Sequence, residues 1–298
     1  MKSKLKLISS MLIFGTIGIF VRNIPLPSSV IALARGCIGL IFLLGVIAVL
    51  RKPLSRKDIA KNAVYLLFSG AFLGLNWVML FESYRYTTVA TATLCYYLAP
   101  IAVIIVSPFV LGEKLTAKKI VCTVTAVIGM VFVSGVADGG FDANAKGVVF
   151  GLIAAVLYAS VVLLNKKMHP IGAYDKTIVQ LGVSSAVLGA YLALTGGFSG
   201  AFAEMSGVLP WVLLIVVGIV HTGIAYALYF SSVDKNGVSS QSAAVLSYVD
   251  PVSAVILSAV LLGETMTPAG VLGTVLVLGS AVVSEVEMPV KKASASKN

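Results

Sequence analysis

The 298-residue chain has few charged residues, since Asp, Glu, Lys and Arg together make up 11% of it. A soluble domain carries about 25% charged residues, with which it covers a surface that faces water. With 58% hydrophobic residues and a mean hydropathy of +1.01, this chain cannot cover such a surface. The composition therefore excludes a soluble globular protein and indicates that most of the surface faces the lipid bilayer.

Cysteine and histidine are also scarce, with three and two residues respectively. Cys37, Cys95 and Cys122 lie inside apolar runs and lack metal-binding spacing, so they predict neither a disulfide framework nor a metal site. The sequence contains no Gly-x-x-x-x-Gly-Lys-Ser/Thr loop and no His-Glu-x-x-His motif. We therefore expect no cofactor, no bound metal and no ATPase module.

Ten apolar runs approach or reach the roughly 20 residues that a helix needs to cross a bilayer. They cover residues 5–21, 28–50, 63–83, 90–111, 120–136, 148–164, 177–195, 209–230, 239–262 and 269–283. The sequence thus predicts an all-α integral membrane protein with ten transmembrane helices. The first run is also typical of a signal peptide, but no small-x-small cleavage site follows it, so we interpret it as a permanent span.

The net charge of +10 reflects membrane topology and not nucleic-acid binding, because the basic residues lie in short gaps between the runs. With the N-terminus in the cytoplasm, 18 Lys and Arg residues fall on the inner side, Lys176 among them, and three fall outside. This asymmetry predicts a plasma-membrane protein with both termini in the cytoplasm and a basic tail at 287–298.

The two halves of the chain are similar to each other. At an offset of 151 residues, residues 89–126 align with 240–277 without a gap, and at an offset of 149 the third run aligns with the eighth. A weaker match at an offset of 144 sets Phe14 on Tyr158. The aligned pairs include Tyr97 with Tyr248, Pro100 with Pro251, Leu111-Gly112-Glu113 with Leu262-Gly263-Glu264, Thr116 with Thr267, Gly74 with Gly223, Trp77 with Tyr226, and Phe81 with Phe230.

Each repeat contains five helices, in residues 1–137 and 147–286. Because five is odd, the second repeat enters the membrane from the opposite side, which relates the halves by a pseudo-two-fold axis in the membrane plane. Inverted repeats of this kind allow a cavity near the midplane to open alternately to each side. The pattern therefore favours a secondary transporter.

The ten runs, the paired prolines and the two Leu-Gly-Glu-x-x-Thr sequences resemble the drug/metabolite transporter superfamily, specifically its EamA-type exporters. The resemblance covers nearly the whole chain. It implies a central cavity lined mainly by helices 1, 3, 4, 6, 8 and 9, with helices 5 and 10 more peripheral. It does not identify the substrate, because relatives move amino acids, nucleosides, sugars, vitamins and organic cations.

Deep aromatic and ionisable residues are the candidates for a substrate cavity, although aromatic residues also serve as ordinary packing material. The candidate cavity residues are Trp77, Phe81, Tyr97, Tyr158, His221, Tyr226, Tyr248 and Asp250. Asp250 stands out because its aligned partner is Ala99, so it breaks the repeat. We expect it to contact a cationic group of the solute or to exchange a proton, and His221 is a second candidate for either role.

Three further pairs complete the set of candidates. Pro100 and Pro251 predict mid-span kinks that shape or gate the cavity. Arg35 and Glu82 lie toward the outer ends of their helices and predict an outer polar cluster. Glu113 and Glu264 are better explained by helix capping than by ion binding.

These features predict an exporter or exchanger of a small metabolite, with an amino acid or a related amphipathic solute as the candidate. Solute exchange and coupling to a proton remain alternative driving forces. An intramembrane enzyme and a receptor or subunit that binds without transport are the competing classes.

Overall fold

The computed structural model describes residues 2–21, 23–86, 95–96, 98–133, 145–203, 205–233, 237–253 and 267–285. Every regular element within these ranges is a helix, and no strand occurs among them. The predicted all-helical class is thus confirmed for the described part of the chain. Tyr97, Glu264 and the tail at 287–298 lie outside it.

We number the helices in chain order. They are α1 (Lys2–Val21), α2 (Ser28–Val49), α3 (Arg56–Lys61), α4 (Ala63–Tyr86), α5 (Ala99–Leu111), α6 (Ala117–Val133), α7 (Ala145–Lys167), α8 (Ala173–Thr195), α9 (Leu209–Ser232), α10 (Ser240–Leu246) and α11 (Pro268–Glu285). The short helix α3 falls in a connection for which the sequence predicted no element.

Five helices in the described part are long and apolar enough to cross a membrane. They are Ser28–Val49, Ala63–Ser83, Ala145–Lys167, Ala173–Thr195 and Leu209–Ser232. Ala99–Leu111 and Pro268–Ser280 are shorter apolar helices. Large apolar side chains point outward from the bundle, as Phe109 and Leu194 do with 87% and 88% of their surface exposed. Such a surface matches a lipid environment.

Helix packing recurs between the two halves of the chain. α4 packs along α7 and on α8, and their counterparts α9, α1 and α2 are arranged in the same way. Counterparts also pack directly on each other in the pairs α2–α8, α5–α10 and α6–α11. The main apolar core joins all of these helices except α6 and α11, which share a smaller cluster. The α6–α11 pair therefore lies at the periphery.

Two interhelical hydrogen bonds join the halves at related positions. Asn76 Nδ2 of α4 donates to the Ala154 carbonyl of α7 at 2.7 Å, and Ser10 Oγ of α1 donates to the Ala225 carbonyl of α9 at 2.9 Å. Asn76 aligns with Ala225 at the offset of 149, and Ser10 aligns with Ala154 at the offset of 144. The same pair of positions is therefore bonded twice, with the donor on α4 in one bond and on α1 in the other.

Connections that the sequence assigns to the same side of the membrane meet at the same end of the bundle. Asn62 Oδ1 accepts a hydrogen bond from the His169 backbone N–H at 2.8 Å, which joins two connections that carry many of the basic residues. At the other end, Ser83 Oγ donates to the Gly147 carbonyl at 2.7 Å. Residues 24–27 and 199–203 border a common groove of about 420 Å³. The bundle thus has a basic end and an opposite end.

The Leu-Gly-Glu-x-x-Thr sequence at residues 111–116 ends α5 and begins α6. Gly112 ends α5 at a φ of +67°, a conformation that favours glycine. Thr116 Oγ1 and Thr267 Oγ1 accept backbone N–H groups in the first turns of α6 and α11, at 3.3 and 3.1 Å. Both threonines therefore cap the helices that follow them.

Lys176 requires a correction, because the sequence count assigned it to a cytoplasmic connection. α8 already begins at Ala173, and Lys176 is 1% exposed within it. Its Nζ donates to the Phe230 carbonyl at 2.7 Å and lies 5.8 Å from the centre of the Phe230 ring. The negative end of the α9 dipole stabilises this buried charge, which a count along the chain cannot detect.

Candidate functional site

A π-helical segment, Ile219–Ile224, lies within α9. A π turn loosens the usual i→i−4 bonding and is frequent at functional sites. The Thr222 side chain supplies an additional hydrogen bond within this segment, because its Oγ1 donates to the Val217 carbonyl at 3.0 Å. The aligned part of α4 is an uninterrupted α-helix, so the π segment distinguishes the two halves.

Trp77 of α4 and Tyr226 of α9 meet at the centre of the core. Trp77 Nε1 donates to the Tyr226 hydroxyl at 2.9 Å, and the ring centroids lie 5.7 Å apart in an edge-on arrangement. Both side chains are buried, at 3% and 7% exposure. Because the two positions are aligned in the repeat, their contact indicates that the halves face each other here.

Arg35 of α2 lies on this aromatic pair. Its guanidinium carbon is 4.5 Å from the Trp77 ring centroid, and its Nε donates to Thr222 Oγ1 at 3.0 Å. It also interacts with the Tyr226 hydroxyl. The side chain is only 5% exposed, and these partners are all uncharged.

The predicted outer polar cluster of Arg35 and Glu82 is therefore corrected, since Arg35 points to Trp77 and Thr222 instead. Glu82 follows Trp77 by five residues on α4. At about 100° per residue, these two side chains lie about 140° apart around the helix. A group that packs on Trp77 consequently faces away from Glu82.

Two tyrosines extend the cluster toward α7. The hydroxyls of Tyr158 on α7 and Tyr229 on α9 are hydrogen-bonded at 2.9 Å, and the Tyr96 ring lies 5.6 Å from that of Tyr158. Asp250 is close enough to interact electrostatically with Tyr158 and Tyr226. The structure thus brings Asp250 and Arg35 within electrostatic range of the same tyrosine, Tyr226. We call this group of residues the central cluster: Arg35, Trp77, Tyr96, Tyr158, Thr222, Tyr226, Tyr229 and Asp250.

His221 lies in the π segment and faces α1. Its Nε2 is 2.7 Å from Thr16 Oγ1, and its ring centroid is 4.9 Å from that of Phe20. The side chain is 1% exposed, and within the described residues its Nδ1 has no hydrogen-bond partner. Arg35 lies within electrostatic range of the ring.

Turns precede both Pro100 and Pro251. Residues 95–96 are helical, Leu98 is in a turn, and α5 begins at Ala99. A turn at Ser247 and Tyr248 separates α10 from the helical residues 249–253. Helix interruptions of this kind release backbone groups from regular helical hydrogen bonding.

The prolines themselves differ from the expected mid-helix kinks. Pro100 and Pro251 each occupy the first turn after a break, where a missing N–H leaves no helical bond unmade. Asp250 lies in the same turn as Pro251, at the positive end of that helical segment, where a carboxylate is stabilised.

Three predicted cavity residues lie outside the central cluster, and His221 of the π segment is one of them. Phe81 packs at the edge of the main core. Tyr248 is fully buried in the smaller cluster, with Met130 of α6 and Val277 of α11. Its place in the repeat could be read from the sequence, but the direction of its side chain depends on the break in the helix.

Four contributors were missed by sequence reasoning: Thr16, Tyr96, Thr222 and Tyr229. All four are ordinary residues for a membrane helix, and the signal for Tyr229 was its position three residues after Tyr226. Their roles depend on how α1 and α2 align in depth with α9. The arrangement provides a cation, a carboxylate, phenols and flat rings, which suits recognition of a small solute. Among the described residues no group of three or more His, Cys, Asp or Glu side chains is placed to hold a metal.

Comparisons with known proteins agree with this architecture. The chain is 30% identical over 276 residues to a Bacillus subtilis protein named "Uncharacterized transporter YxxF", covering 92% of this chain and 86% of that one. A protein of Archaeoglobus fulgidus named "Uncharacterized transporter" is 26% identical, with 93% and 94% covered. One solved crystal structure with 22% identity has the same fold, with a TM-score of 0.73 over 95% of this chain and 96% of that chain.

The sequence profile of the EamA-like transporter family matches the chain twice, over residues 1–135 and 145–285. The two matches account for the similarity between the halves and for the recurring helix contacts. The chain is a multi-pass membrane transporter, and it belongs to the EamA-like transporter family.

Proposed function

We propose that the protein exports or exchanges a small amino acid or a similar zwitterionic metabolite by alternating access around the central cluster. The observation that carries this proposal is Arg35, a buried cation whose contacts with Trp77, Thr222 and Tyr226 are all uncharged. Among the described residues these contacts supply no counter-charge, and burying a charge that lacks one is costly. A carboxylate on the solute would supply the counter-charge.

The rest of the central cluster fits the same solute. Asp250 provides a negative charge for an amino group, and Trp77, Tyr158 and Tyr226 provide flat apolar walls with polar edges. Opposite charges within one aromatic cluster favour a zwitterion over a neutral sugar. Glu82 and Tyr248, which lie elsewhere, have no part in this proposal.

Alternating access requires two halves that can exchange conformations. We propose ten transmembrane helices in two inverted repeats, residues 1–137 and 147–286. The proposal is supported by the two family matches, the recurring helix pairs, the turns that precede Pro100 and Pro251, and the contact between Trp77 and Tyr226. Rocking of one half against the other would expose the central cluster to each side in turn.

We further propose a plasma-membrane location with the basic end of the bundle in the cytoplasm. This orientation places both termini and 17 of the 22 Lys and Arg residues on the inner side, with Lys176 counted within α8. The Asn62–His169 contact between two connections assigned to that side supports the same parity.

The test is ligand-induced thermal stabilisation of the detergent-purified protein, followed by counterflow in liposomes. Each amino acid is paired with its C-terminal amide, which lacks the carboxylate. A ligand at about 100 times its Kd stabilises the folded protein by about 2.7 kcal/mol, so binding raises the melting temperature. We expect stabilisation and counterflow by amino acids but not by their amides.

Arg35→Gln should abolish both effects, and Arg51→Gln, at an exposed position on the basic end, is the matched control. Equal stabilisation by acid and amide, or stabilisation that survives Arg35→Gln, would contradict the assignment of the carboxylate to Arg35.

A further inference from the structure

The hydrogen bonds around His221 determine which ring nitrogen carries the proton when the ring is neutral. Thr16 has one hydroxyl hydrogen, which it donates to the Ile13 carbonyl at 2.7 Å. At its 2.7 Å contact with His221 Nε2, the Thr16 oxygen must therefore accept. Nε2 carries the hydrogen of the neutral ring, and Nδ1 carries a lone pair.

That lone pair lies in an unusual place. Nδ1 is buried and has no hydrogen-bond partner among the described residues. The backbone group that interacts with the ring is that of Val216, whose carbonyl can only accept. Because Nε2 already contacts Thr16, Nδ1 is the ring nitrogen left to donate to this carbonyl, and only its protonated form can do so. The adjoining π turn helps, because it loosens the carbonyls of this part of α9.

The charged groups around the ring come from each helix packed on the π segment. α2 presents Arg35, whose positive charge opposes protonation of the ring. α1 presents Thr16 and Phe20, and its nearest lysine, Lys6, lies ten residues earlier, about 15 Å along the helix. α9 itself presents Tyr226 one turn further on, and Asp250 acts electrostatically on that tyrosine.

We infer that His221 Nδ1 is a proton-binding site coupled to anion binding at Arg35, so that the transporter takes up one proton with each carboxylate solute. This inference rests on the proposed function. An anion at Arg35 cancels the charge that opposes protonation, and a proton on His221 in turn attracts the anion. Since coupling between two binding sites is reciprocal, carboxylate affinity should increase as the pH falls, by up to about tenfold per pH unit.

Histidine NMR of the whole protein in lipid nanodiscs tests the site directly. The chain has two histidines, so 15N-histidine labelling gives one signal from His221 and one from His169, and His169→Gln identifies them. We expect the neutral His221 ring to carry its hydrogen on Nε2. In Arg35→Gln, protonation of His221 should move by about one pH unit or more toward higher pH, while Arg35→Lys should stay near the wild type.

The His169 signal is an internal control for folding, because its backbone N–H is bonded to Asn62 at the basic end, and its chemical shift at a fixed pH should be the same in all folded variants. Sodium benzoate serves as the carboxylate probe. It should move the protonation of His221 toward higher pH in the wild type and have no effect in Arg35→Gln. A neutral ring protonated on Nδ1, or identical titration of His221 in wild type and Arg35→Gln, would overturn the proton site.

Failure of the proposed function gives a different result. If Arg35→Gln moves the titration of His221 but benzoate does not, the proton site stands and the carboxylate assignment is wrong. Amino-acid counterflow whose rate and affinity do not change between pH 5.5 and 8 would overturn the coupling and leave transport standing.

Discussion

The Tyr226 hydroxyl contacts side chains from two other helices at the centre of the core. The indole N–H is buried, and the Tyr226 oxygen is its acceptor. The same oxygen interacts with Arg35, so one group connects α2, α4 and α9. Loss of that oxygen should affect both stability and the position of the cation.

Tyr226→Phe should lower the free energy of unfolding by about 1–3 kcal/mol, because it leaves the Trp77 N–H buried without an acceptor. In a cycle with Trp77→Phe, the double variant should lose less than the sum of the single losses, by about 0.6 kcal/mol or more. Reversible unfolding in mixed micelles measures these values.

Trp211 is the matched control, since it is 44% exposed and stacks on Phe202 in the α8–α9 region. Trp211→Phe should change stability little. Strictly additive losses at Trp77 and Tyr226 would contradict an energetic role for their hydrogen bond.

The close approach of α1 to the helical residues 249–253 depends on Gly15. A Cβ at this position would overlap the Ser253 hydroxyl and lie 2.7 Å from the Asp250 carbonyl oxygen. The absence of a side chain thus allows α1 to lie against the turn that carries Asp250. This packing determines where Asp250 lies relative to Tyr158 and Tyr226 of the central cluster.

Gly15→Ala should destabilise the protein by about 1–3 kcal/mol and weaken solute binding, because α1 must move away from residues 250–253. Gly45 on α2 is the matched control, since a Cβ there meets nothing within 4 Å. Gly45→Ala should be neutral or stabilising by up to about 1 kcal/mol through helix propensity. Thermal unfolding and ligand titration of the two variants provide the comparison, and equal behaviour would contradict the packing argument.

Sequence periodicity and alignment predicted much of the helix order, because a bilayer imposes a length on every span and a repeat shows which spans correspond. The alignment of Trp77 with Tyr226 came from the sequence, but their contact did not. The prediction that Arg35 contacts Glu82 was wrong for the same reason. Thr222 and Trp77 contact Arg35 because of the depths at which α2, α4 and α9 lie relative to one another. The π segment and the buried Lys176 likewise depend on tertiary packing that leaves no mark in composition.

The proposed orientation of the whole molecule predicts opposite accessibility for its two ends. In a variant without the three native cysteines, Lys57→Cys at the basic end should react with a thiol reagent only after the membrane is made permeable. Ala201→Cys, in the connection between α8 and α9, should react in intact cells. Lys167→Cys is the matched control for the basic end, and labelling of Lys57→Cys in intact cells would contradict the orientation.

The pairing of Trp77 with Tyr226 also bears on the ancestry of the chain. In a dimer of two identical first halves, two indole donors would face each other without an acceptor. Two identical second halves would bring together two phenols and leave Arg35 out altogether. The halves have therefore diverged into complementary partners, and neither can replace the other.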